Sequence, residues 1–175
     1  PSPKAKEPEV VPEAAEAAEA VEQTPQKTRI TQTVNYPDGS TYTGEMSGDK
    51  RHGYGVYVLA AKTYKGEWAN DLRHGVGMQI WKDGRTYEGQ YRMGHMEGHG
   101  RMEWRSSSGT QVYVGQYKDN RKHGQGKFSW PDGRAYDGHW KNGLRNGEGI
   151  FISSQGQRRR GQWENDYLVK WFHDE

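Results

Sequence analysis

The sequence contains no cysteine, which excludes disulfide frameworks and thiolate chemistry. A chain without cysteine is compatible with an intracellular, reducing compartment. The sequence also lacks any apolar run approaching the ~20 residues that a membrane-spanning helix needs. Its first residue is Pro1 rather than Met, so we expect a processed or trimmed form in which an upstream targeting segment would not be visible.

Aliphatic residues are scarce in this chain, whereas aromatic residues are not. Only 31% of its 175 residues are hydrophobic, and roughly 45–50% is usual for a globular domain when glycine is counted as apolar. The chain nevertheless has seven Trp, eleven Tyr and three Phe, together with 24 glycines. Large amphipathic rings stabilise broad, flat contacts. The composition therefore favours extended β structure over a helical bundle.

The net charge is small and unevenly distributed. The whole chain carries +2, while residues 1–30 carry four basic residues against six glutamates. The remainder carries 21 basic residues against 17 acidic ones, a net charge of +4. This bias is too weak to indicate a nucleic-acid partner.

Residues 1–33 are predicted to form a separate acidic tail of low complexity. Five of the seven prolines lie in the first 25 residues, and no aromatic residue precedes Tyr36. A segment rich in Ala, Pro and Glu cannot bury enough apolar surface to offset its ordering entropy. Residues 12–23 have a helix-like opening. A flexible tether is favoured, and a docked peptide is the alternative.

From residue 34 onward the chain repeats itself, and this is its most informative property. In five segments a tyrosine lies eleven residues before the first glycine of a Gly-x-Gly pair. The segments are YTGEMSGDKRHGYG, YKGEWANDLRHGVG, YEGQYRMGHMEGHG, YVGQYKDNRKHGQG and YDGHWKNGLRNGEG. A half unit, VNYPDGSTY, precedes them. A sixth unit has Arg159 in place of tyrosine and lacks the Gly-x-Gly, so residues 34–175 are predicted to form an array that ends in a broken capping unit, 157–175.

The start of each unit alternates with the period of two that is typical of a β-strand. In the second unit Tyr64, Gly66 and Trp68 are predicted to share one face, while Lys65 and Glu67 share the other. Gly66 has no side chain between two rings. We therefore expect a ring from a neighbouring strand to lie over it.

The Gly-x-Gly pair is interpreted as a turn that is followed by a second short strand. The residues two and four positions after its second glycine are mostly apolar, as in Tyr57 and Leu59 or Phe128 and Trp130. Asp-Gly sequences then supply tight reversals. Stacked hairpins of this kind predict an all-β fold, an elongated and twisted antiparallel sheet or trough roughly 50 Å long.

The C-terminal segment ENDYLVKWFHDE breaks the repeat pattern. Tyr167, Leu168, Trp171 and Phe172 are spaced so that they would share one helical face. We predict that this segment caps the array, with an exposed partner anchor as the alternative.

The units resemble MORN repeats, whose pattern is close to Tyr-x-Gly-x-Trp-x-x-Gly-x-x-x-Gly-x-Gly, over about residues 34–165. Asp71 and Asn120 replace the middle glycine in two units, and both residue types tolerate left-handed turns. The stretch GEWANDLRHGVG and the recurring Arg/Lys-His-Gly are also similar to the arrays of radial spoke head proteins in cilia. The resemblance implies an interaction array and favours the axoneme of a cilium or flagellum as its setting.

No motif predicts catalysis, a cofactor or a metal. The Gly-x-Gly pairs lack the Gly-Lys-Ser/Thr ending of a phosphate-binding loop. Carboxylates such as Glu45 and Glu67 recur as a solvated charge stripe would, and the serines of the inserted segment RSSSGTQV (105–112) have no histidine in a paired position. Histidines occupy repeat positions that are interpreted as turns, which makes metal binding the less favoured alternative. These histidines are His52, His74, His95, His99 and His123.

A row of basic residues recurs just before the histidine position. It is interpreted as a solvated edge, and together with RRR at 158–160 it is also a candidate for attracting acidic partners or anionic lipid. The candidate basic edge consists of Arg51, Arg73, Lys122 and Arg145.

The sequence thus predicts a non-enzymatic MORN-repeat scaffold that binds other proteins inside a larger intracellular assembly. A partner helix or extended peptide would lie in the groove, or a strand would pair with a sheet edge. Peripheral binding to an anionic membrane is the rival prediction, and self-association through the last unit is a third. The candidate partner-binding residues are Tyr64, Trp68, Tyr87, Tyr91, Tyr113, Tyr117, Tyr136 and Trp140.

Overall fold

The computed structural model describes residues 30–173, and every described element is a β-strand. Thirteen strands form one antiparallel sheet whose spatial order is the chain order. The strands are β1 (Ile30–Asn35), β2 (Thr41–Ser47), β3 (Lys50–Leu59), β4 (Lys62–Ala69), β5 (Leu72–Trp81), β6 (Thr86–Arg92), β7 (His95–Ser106), β8 (Gly109–Lys118), β9 (Arg121–Ser129), β10 (Ala135–Lys141), β11 (Leu144–Ile152), β12 (Arg158–Glu164) and β13 (Tyr167–Trp171). The predicted all-β class and antiparallel sheet are confirmed, and the sheet is open, with β1 and β13 at its edges.

The glycines of each full unit face one another across the sheet. Gly66 lies opposite Gly77, and the other full units repeat this pairing. The Tyr64 ring covers both glycines, because a Cβ built on Gly66 would lie 2.7 Å from the Tyr64 hydroxyl and one built on Gly77 would be closer still. The expectation that a ring from a neighbouring strand lies over Gly66 is therefore wrong, because its own strand supplies the ring, which also covers Gly77 on the next strand.

The predicted Asp-Gly reversals lie where expected, as at Asp83-Gly84, but the turns inside the units lie at different residues from those predicted. Gly75 and Gly77 are inside β5, so the interpretation of Gly-x-Gly as a turn is wrong. The chain reverses instead at two-residue turns such as Asn70 (φ 49°) and Asp71 (φ 70°). Positive φ at both residues suits the right-handed twist of the flanking strands. Asp71 and Asn120 do adopt the left-handed conformation expected of them.

The first glycine of each Gly-x-Gly is a β-bulge. Gly75 has a φ of 58°, and the register between β4 and β5 shifts beside it. The Glu67 carboxylate occupies the space next to Gly75 and accepts a hydrogen bond from the Val76 amide at 2.9 Å. Glu67 is exposed on the face opposite the rings, as the predicted solvated stripe requires, and its carboxylate also caps the bulge. The same bond is made by Glu45, Gln90 and Gln116.

The turns also connect each unit to the preceding one. The Asp71 amide donates to the Arg51 carbonyl at 3.0 Å, and the corresponding bond recurs at four further junctions. The Asp71 carboxylate in return accepts from the Arg51 amide at 3.0 Å. Neighbouring units are therefore held together by turn-to-strand bonds as well as by the strand ladder.

The C-terminal segment forms a strand rather than the predicted helical face. Asn165 (φ 48°) and Asp166 (φ 71°) make the same left-handed turn as Asn70 and Asp71, so the sixth unit completes its hairpin and β13 pairs with β12. The segment does end the described sheet, with Tyr167 78% exposed at its outer edge. The signal for this hairpin was the repetition of WANDL (68–72) as WENDY (163–167).

The described sheet begins before the predicted start of the array. Strand β1 starts at Ile30, which pairs with Met46, rather than at Val34. The helix-like opening at 12–23 lies outside the described residues. The boundary between the tail and the array stays a prediction.

Candidate binding face

One face of the sheet carries most of the rings, and we call it the aromatic face. It bears Tyr64 and Trp68, whereas the opposite face bears Lys65 and Glu67, as the period of two predicted. The register pairs Tyr64 with Gln79, so the residues that follow the second glycine also point to the aromatic face. Both strands of each unit therefore contribute side chains to a single surface.

Eleven rings on this face form an unbroken chain of edge-to-face contacts, which we call the inner ring row. Adjacent ring centroids are 4.9–5.6 Å apart and the ring planes cross at 75–90°. This geometry brings a positive ring edge against a negative ring face. In order along the sheet the rings are Tyr42, Trp68, Tyr64, Tyr91, Tyr87, Tyr117, Tyr113, Trp140, Tyr136, Trp163 and Trp171.

All eight predicted partner-binding rings belong to the inner ring row. Each leaves 6% or less of its surface exposed, because the rings and the glycines bury one another within a single sheet. Their principal role in the structure is therefore to pack the sheet, and contact with a partner stays a prediction for them. The eight are Tyr64, Trp68, Tyr87, Tyr91, Tyr113, Tyr117, Tyr136 and Trp140.

The first tyrosine of each full unit donates its hydroxyl to the carbonyl three residues later, at 2.7–3.1 Å. Burial raises the pKa of the Tyr42 and Tyr136 hydroxyls to about 12, so these groups stay neutral donors at physiological pH. At the fifth position, Trp68 donates its indole N–H to the Gly55 carbonyl at 3.2 Å. The buried hydroxyls of Tyr91 and Tyr117 at this position have no partner within the described part of the chain.

A second set of rings lies beside the inner row and is only half-buried. We call it the outer ring row. The sequence predicted that most of its members share one apolar face of the second strand of a unit, but it did not identify them as a binding surface. Because they keep exposed area, they are the more accessible part of the face. The outer ring row consists of Tyr36, Tyr57, Trp81, Trp104, Trp130 and Phe151.

The basic row lies over the rings of the aromatic face, so its interpretation as a solvated edge is wrong. Arg51 stacks its guanidinium 4.4 Å from the centre of the Trp68 ring, an attraction worth about 0.5–2 kcal/mol. Arg51 and Arg145 each form an ion pair, 3.1 Å from Asp71 and Asp166 respectively. For Arg73 the corresponding turn residue of the next unit is Gly94, which has no carboxylate. Arg73 therefore forms no ion pair within residues 30–173.

Lys122 has the most apolar surroundings of the four basic residues. Its ammonium nitrogen lies 4.0 Å from the Trp140 ring centre, 4.7 Å from that of Phe128 and 5.7 Å from that of Tyr113. The pKa of Lys122 is lowered to about 8, chiefly by burial; Asp166 opposes the shift and nearby Arg145 adds to it. The structure therefore places this lysine in an aromatic cage made by its own chain.

The histidines lie in strands, so their predicted position in turns is wrong. His52 and His123 are partly covered, and their Nδ1 atoms have no hydrogen-bond partner among the described residues. His95 and His99 are both in β7, and His95 bonds to the Asn120 side chain at 2.7 Å. Across residues 30–173 no group of three or more His, Asp or Glu side chains is arranged to hold a metal ion.

The inserted segment RSSSGTQV forms the end of a longer hairpin rather than a loop. Arg105 pairs with Thr110 and Ser106 with Gly109, so strands β7 and β8 extend past the ends of their neighbours. The Ser106 hydroxyl donates to the Gly109 carbonyl at 3.0 Å. This projecting hairpin is the main departure from the repeat geometry.

The described residues include no helix that could cross a membrane. Fold and site together define a class: a single-layer array of β-hairpin repeats in which tyrosine rings and paired glycines replace a conventional core.

The family model of the MORN repeat matches residues 42–61, 64–84, 87–109, 113–133 and 136–158, which is more than half of the chain. The chain therefore belongs to the MORN repeat family, and the resemblance seen in the sequence is confirmed at the level of the family. No curated protein matches it at a significant level of similarity. MORN repeats commonly act as protein- or lipid-binding scaffold modules and are generally non-enzymatic.

Proposed function

We propose that the chain is a non-enzymatic scaffold that binds a protein partner along its aromatic face within a larger intracellular assembly. The observation that carries the proposal is the outer ring row, six half-buried rings that no second layer of the described chain covers. Clustered aromatic side chains with exposed area are typical of protein interfaces. A helix or an extended segment of the partner lies along these rings.

Substitution of the outer ring row tests this proposal. The triple variant Trp81→Ser, Trp104→Ser and Trp130→Ser removes exposed ring area while leaving the inner ring row intact. We expect the proteins that co-purify with the tagged full chain to fall at least tenfold. The matched control places serine at Val58, Val76 and Val114, which are exposed on the opposite face. Equal binding by both variants, with unchanged circular dichroism, would reject the aromatic face as the interface.

Strand addition is the second mode of binding, and the open edges of the sheet favour it. Strand β13 is an edge strand with Leu168 42% and Val169 57% exposed. A partner strand or a second copy of the chain would pair there. The variant Leu168→Lys with Val169→Lys places charges on the edge, which disfavours pairing. Sedimentation at increasing concentration measures self-association, and an unchanged mass for both proteins excludes this edge as a contact between copies.

We further propose the axoneme of a cilium or flagellum, such as a radial spoke, as the setting. Similarity of the repeats to radial spoke head arrays supports this proposal. We expect the tagged full chain, expressed in ciliated cells, to stay with the axoneme after detergent extraction of the membranes. Release of the chain with the detergent-soluble fraction would contradict it.

A peripheral membrane adaptor is the rival, and the exposed Arg158, Arg159 and Arg160 on β12 favour it. Two of the four residues of the basic row are ion-paired, which leaves fewer charges for a surface. Co-sedimentation with vesicles containing 30% phosphatidylserine distinguishes the membrane adaptor from the protein-binding scaffold. Salt-sensitive binding that disappears after charge reversal of the arginine triplet would support the adaptor over the scaffold.

A further inference from the structure

A cavity of about 220 Å³ opens on the aromatic face at the second unit. Its apolar wall includes the rings of Tyr57, Tyr64 and Trp68. Lys62 and Arg73 also line it, together with Arg51 and Asp71, which form an ion pair with each other. An apolar wall beside two cations strengthens their attraction for an anion, since less water screens them.

Within the described part of the chain Lys62 and Arg73 form no ion pair, whereas most of the basic residues at the same positions in other units do. Arg85 and Arg134 occupy the position of Lys62 in the third and fifth units, and each pairs with an aspartate two residues earlier, at 2.8 and 2.7 Å. Lys62 follows the Ala-Ala turn, which offers no carboxylate. Among residues 30–173 neither Lys62 nor Arg73 forms an ion pair.

The orientation of Arg73 is set by neutral groups. Its guanidinium donates to the Gln79 side-chain oxygen and, at 2.5 Å, to the Gly94 carbonyl. Gln79 is a buried polar residue, 3% exposed, at a position where the other full units have a ring or methionine. A guanidinium held by two neutral acceptors keeps its full charge and has further N–H groups to offer.

We propose that this cavity receives the carboxylate of an acidic side chain from a protein partner. Lys62 and Arg73 bind the carboxylate, and the rings contact the apolar atoms next to it. This inference rests on the proposed scaffold function and specifies the chemistry of the partner segment: an acidic residue beside an aromatic or aliphatic one.

A carboxylate fits better than a phosphate. The cavity offers two charged side chains as donors, and two of the polar atoms around Arg73, the Gln79 oxygen and the Gly94 carbonyl, are acceptors that would repel additional phosphate oxygens. Arg51, the third cation in the wall, is already paired with Asp71. The net charge of the lining is therefore +2, enough for one or two carboxylates.

Nuclear magnetic resonance of the full chain tests the proposal with two capped peptides, Glu-Phe-Glu and Gln-Phe-Gln. We expect the Glu peptide to shift the Trp68 indole and Arg73 side-chain resonances, and the Gln peptide to bind at least tenfold more weakly. Lys62→Gln and Arg73→Gln should each weaken binding of the Glu peptide about tenfold or more. Lys65→Gln is the matched control, because it removes the same charge from the opposite face of the same strand. Equal binding of both peptides overturns the proposal.

Carbodiimide cross-linking and vesicle titration separate other occupants. We expect a zero-length link from Lys62 to a glutamate of the peptide. A link from Lys62 to Glu residues of segment 7–22 of the same chain would overturn the partner version, and so would shifts caused only by phosphoinositide vesicles. If the outer-ring variants abolish partner binding while Lys62→Gln does not change it, only this inference fails. If neither changes it, the proposed function fails as well.

Discussion

A buried tyrosine hydroxyl in this sheet either finds an acceptor in its own strand or finds none, and the repeat position decides which. The position-one hydroxyls reach a carbonyl three residues onward. The position-five tyrosines, Tyr91 and Tyr117, are 3% and 5% exposed and bury their hydroxyls without an acceptor among residues 30–173. An unsatisfied buried hydroxyl costs stability, whereas a satisfied one contributes.

Tyr87→Phe and Tyr91→Phe form a matched pair within one strand. Tyr87→Phe removes a 3.0 Å bond to the Gln90 carbonyl, so we expect the free energy of unfolding to fall by about 1 kcal/mol. Tyr91→Phe removes a hydroxyl without a partner, so stability should be unchanged or higher. Urea unfolding measures both. Equal losses for the two variants would contradict this account of the hydroxyls.

Lys122 makes stability depend on pH. Burial lowers its pKa to about 8, below the ~10.4 of an unfolded chain. Between these values the unfolded state binds more protons, so the contribution of Lys122 to stability rises with pH across that window. Lys122→Met introduces the residue that the third unit has as Met96. We expect this variant to be more stable than the native chain at pH 7. The difference in their free energies of unfolding should become smaller by pH 9.5.

Thermal unfolding of both proteins at several pH values measures this difference in stability. The tyrosines titrate in both proteins, so their contribution cancels in the difference. A difference that is constant from pH 7 to pH 9.5 would show that Lys122 is not the group responsible.

At the scale of the element, the two-residue turn determines where each hairpin reverses and how it joins the preceding unit. Asp71 combines a left-handed backbone with a carboxylate that accepts from the Arg51 amide and guanidinium. The Asn120 side-chain oxygen accepts the corresponding hydrogen bond from the Met96 backbone amide at 2.8 Å. Gly94 and Gly143 keep the backbone geometry but supply no side chain. Backbone angle and side-chain acceptor are therefore separable contributions.

A substitution series at Asp71 separates them. Asp71→Asn keeps the angle and the acceptor, Asp71→Gly keeps only the angle, and Asp71→Ala keeps neither. We expect losses of under 1 kcal/mol, about 1–2 kcal/mol and about 2–4 kcal/mol in that order, since a lost charged hydrogen bond and left-handed alanine each cost about 1–2 kcal/mol. Chemical denaturation gives the values. An alanine variant as stable as the glycine variant would contradict the assigned role of the backbone angle.

At the scale of the whole molecule, the sheet formed by residues 30–173 has no closed core, and each strand is hydrogen-bonded in the ladder only to its sequence neighbours. The stability of such arrays is approximately the sum of the intrinsic stabilities of the repeats and of the interfaces between neighbouring repeats. The end strands have one neighbour while the central strands have two, so opening should begin at the ends. Stability is therefore expected to vary along the sheet.

Hydrogen exchange of the full chain tests this gradient. We expect amides of β6–β8 to exchange at least tenfold more slowly than those of β1 and β13. Mass spectrometry of proteolytic peptides measures the rates. Uniform protection from one end to the other would show that the sheet unfolds as a single cooperative unit.

The sequence determined the repeat, the strand period and the shared face. Tyrosine and tryptophan at alternate positions, with glycine between them, leave one arrangement in which the rings bury one another. Pairs of Asn, Asp and Gly, such as Asn70-Asp71, also indicated the turn position. The prediction placed the turn at the Gly-x-Gly pairs instead, because glycine pairs are common in turns. Spacing alone does not distinguish a glycine in a turn from a glycine in a bulge.

Only the tertiary structure decided which side chains meet. Arg51 and Asp71 are twenty residues apart and form a pair because the turn of one unit lies on the strand of the unit before it. Lys62 and Arg73 share a cavity because the register of the sheet brings them together, and neither forms an ion pair within residues 30–173 because the Asp71 carboxylate in the wall pairs with Arg51. Which side chains meet across strands depends on the strand register and on the β-bulges. Neither of these follows from the composition of the chain or from its period of two. The interaction chemistry of the aromatic face therefore emerges only once the units are stacked.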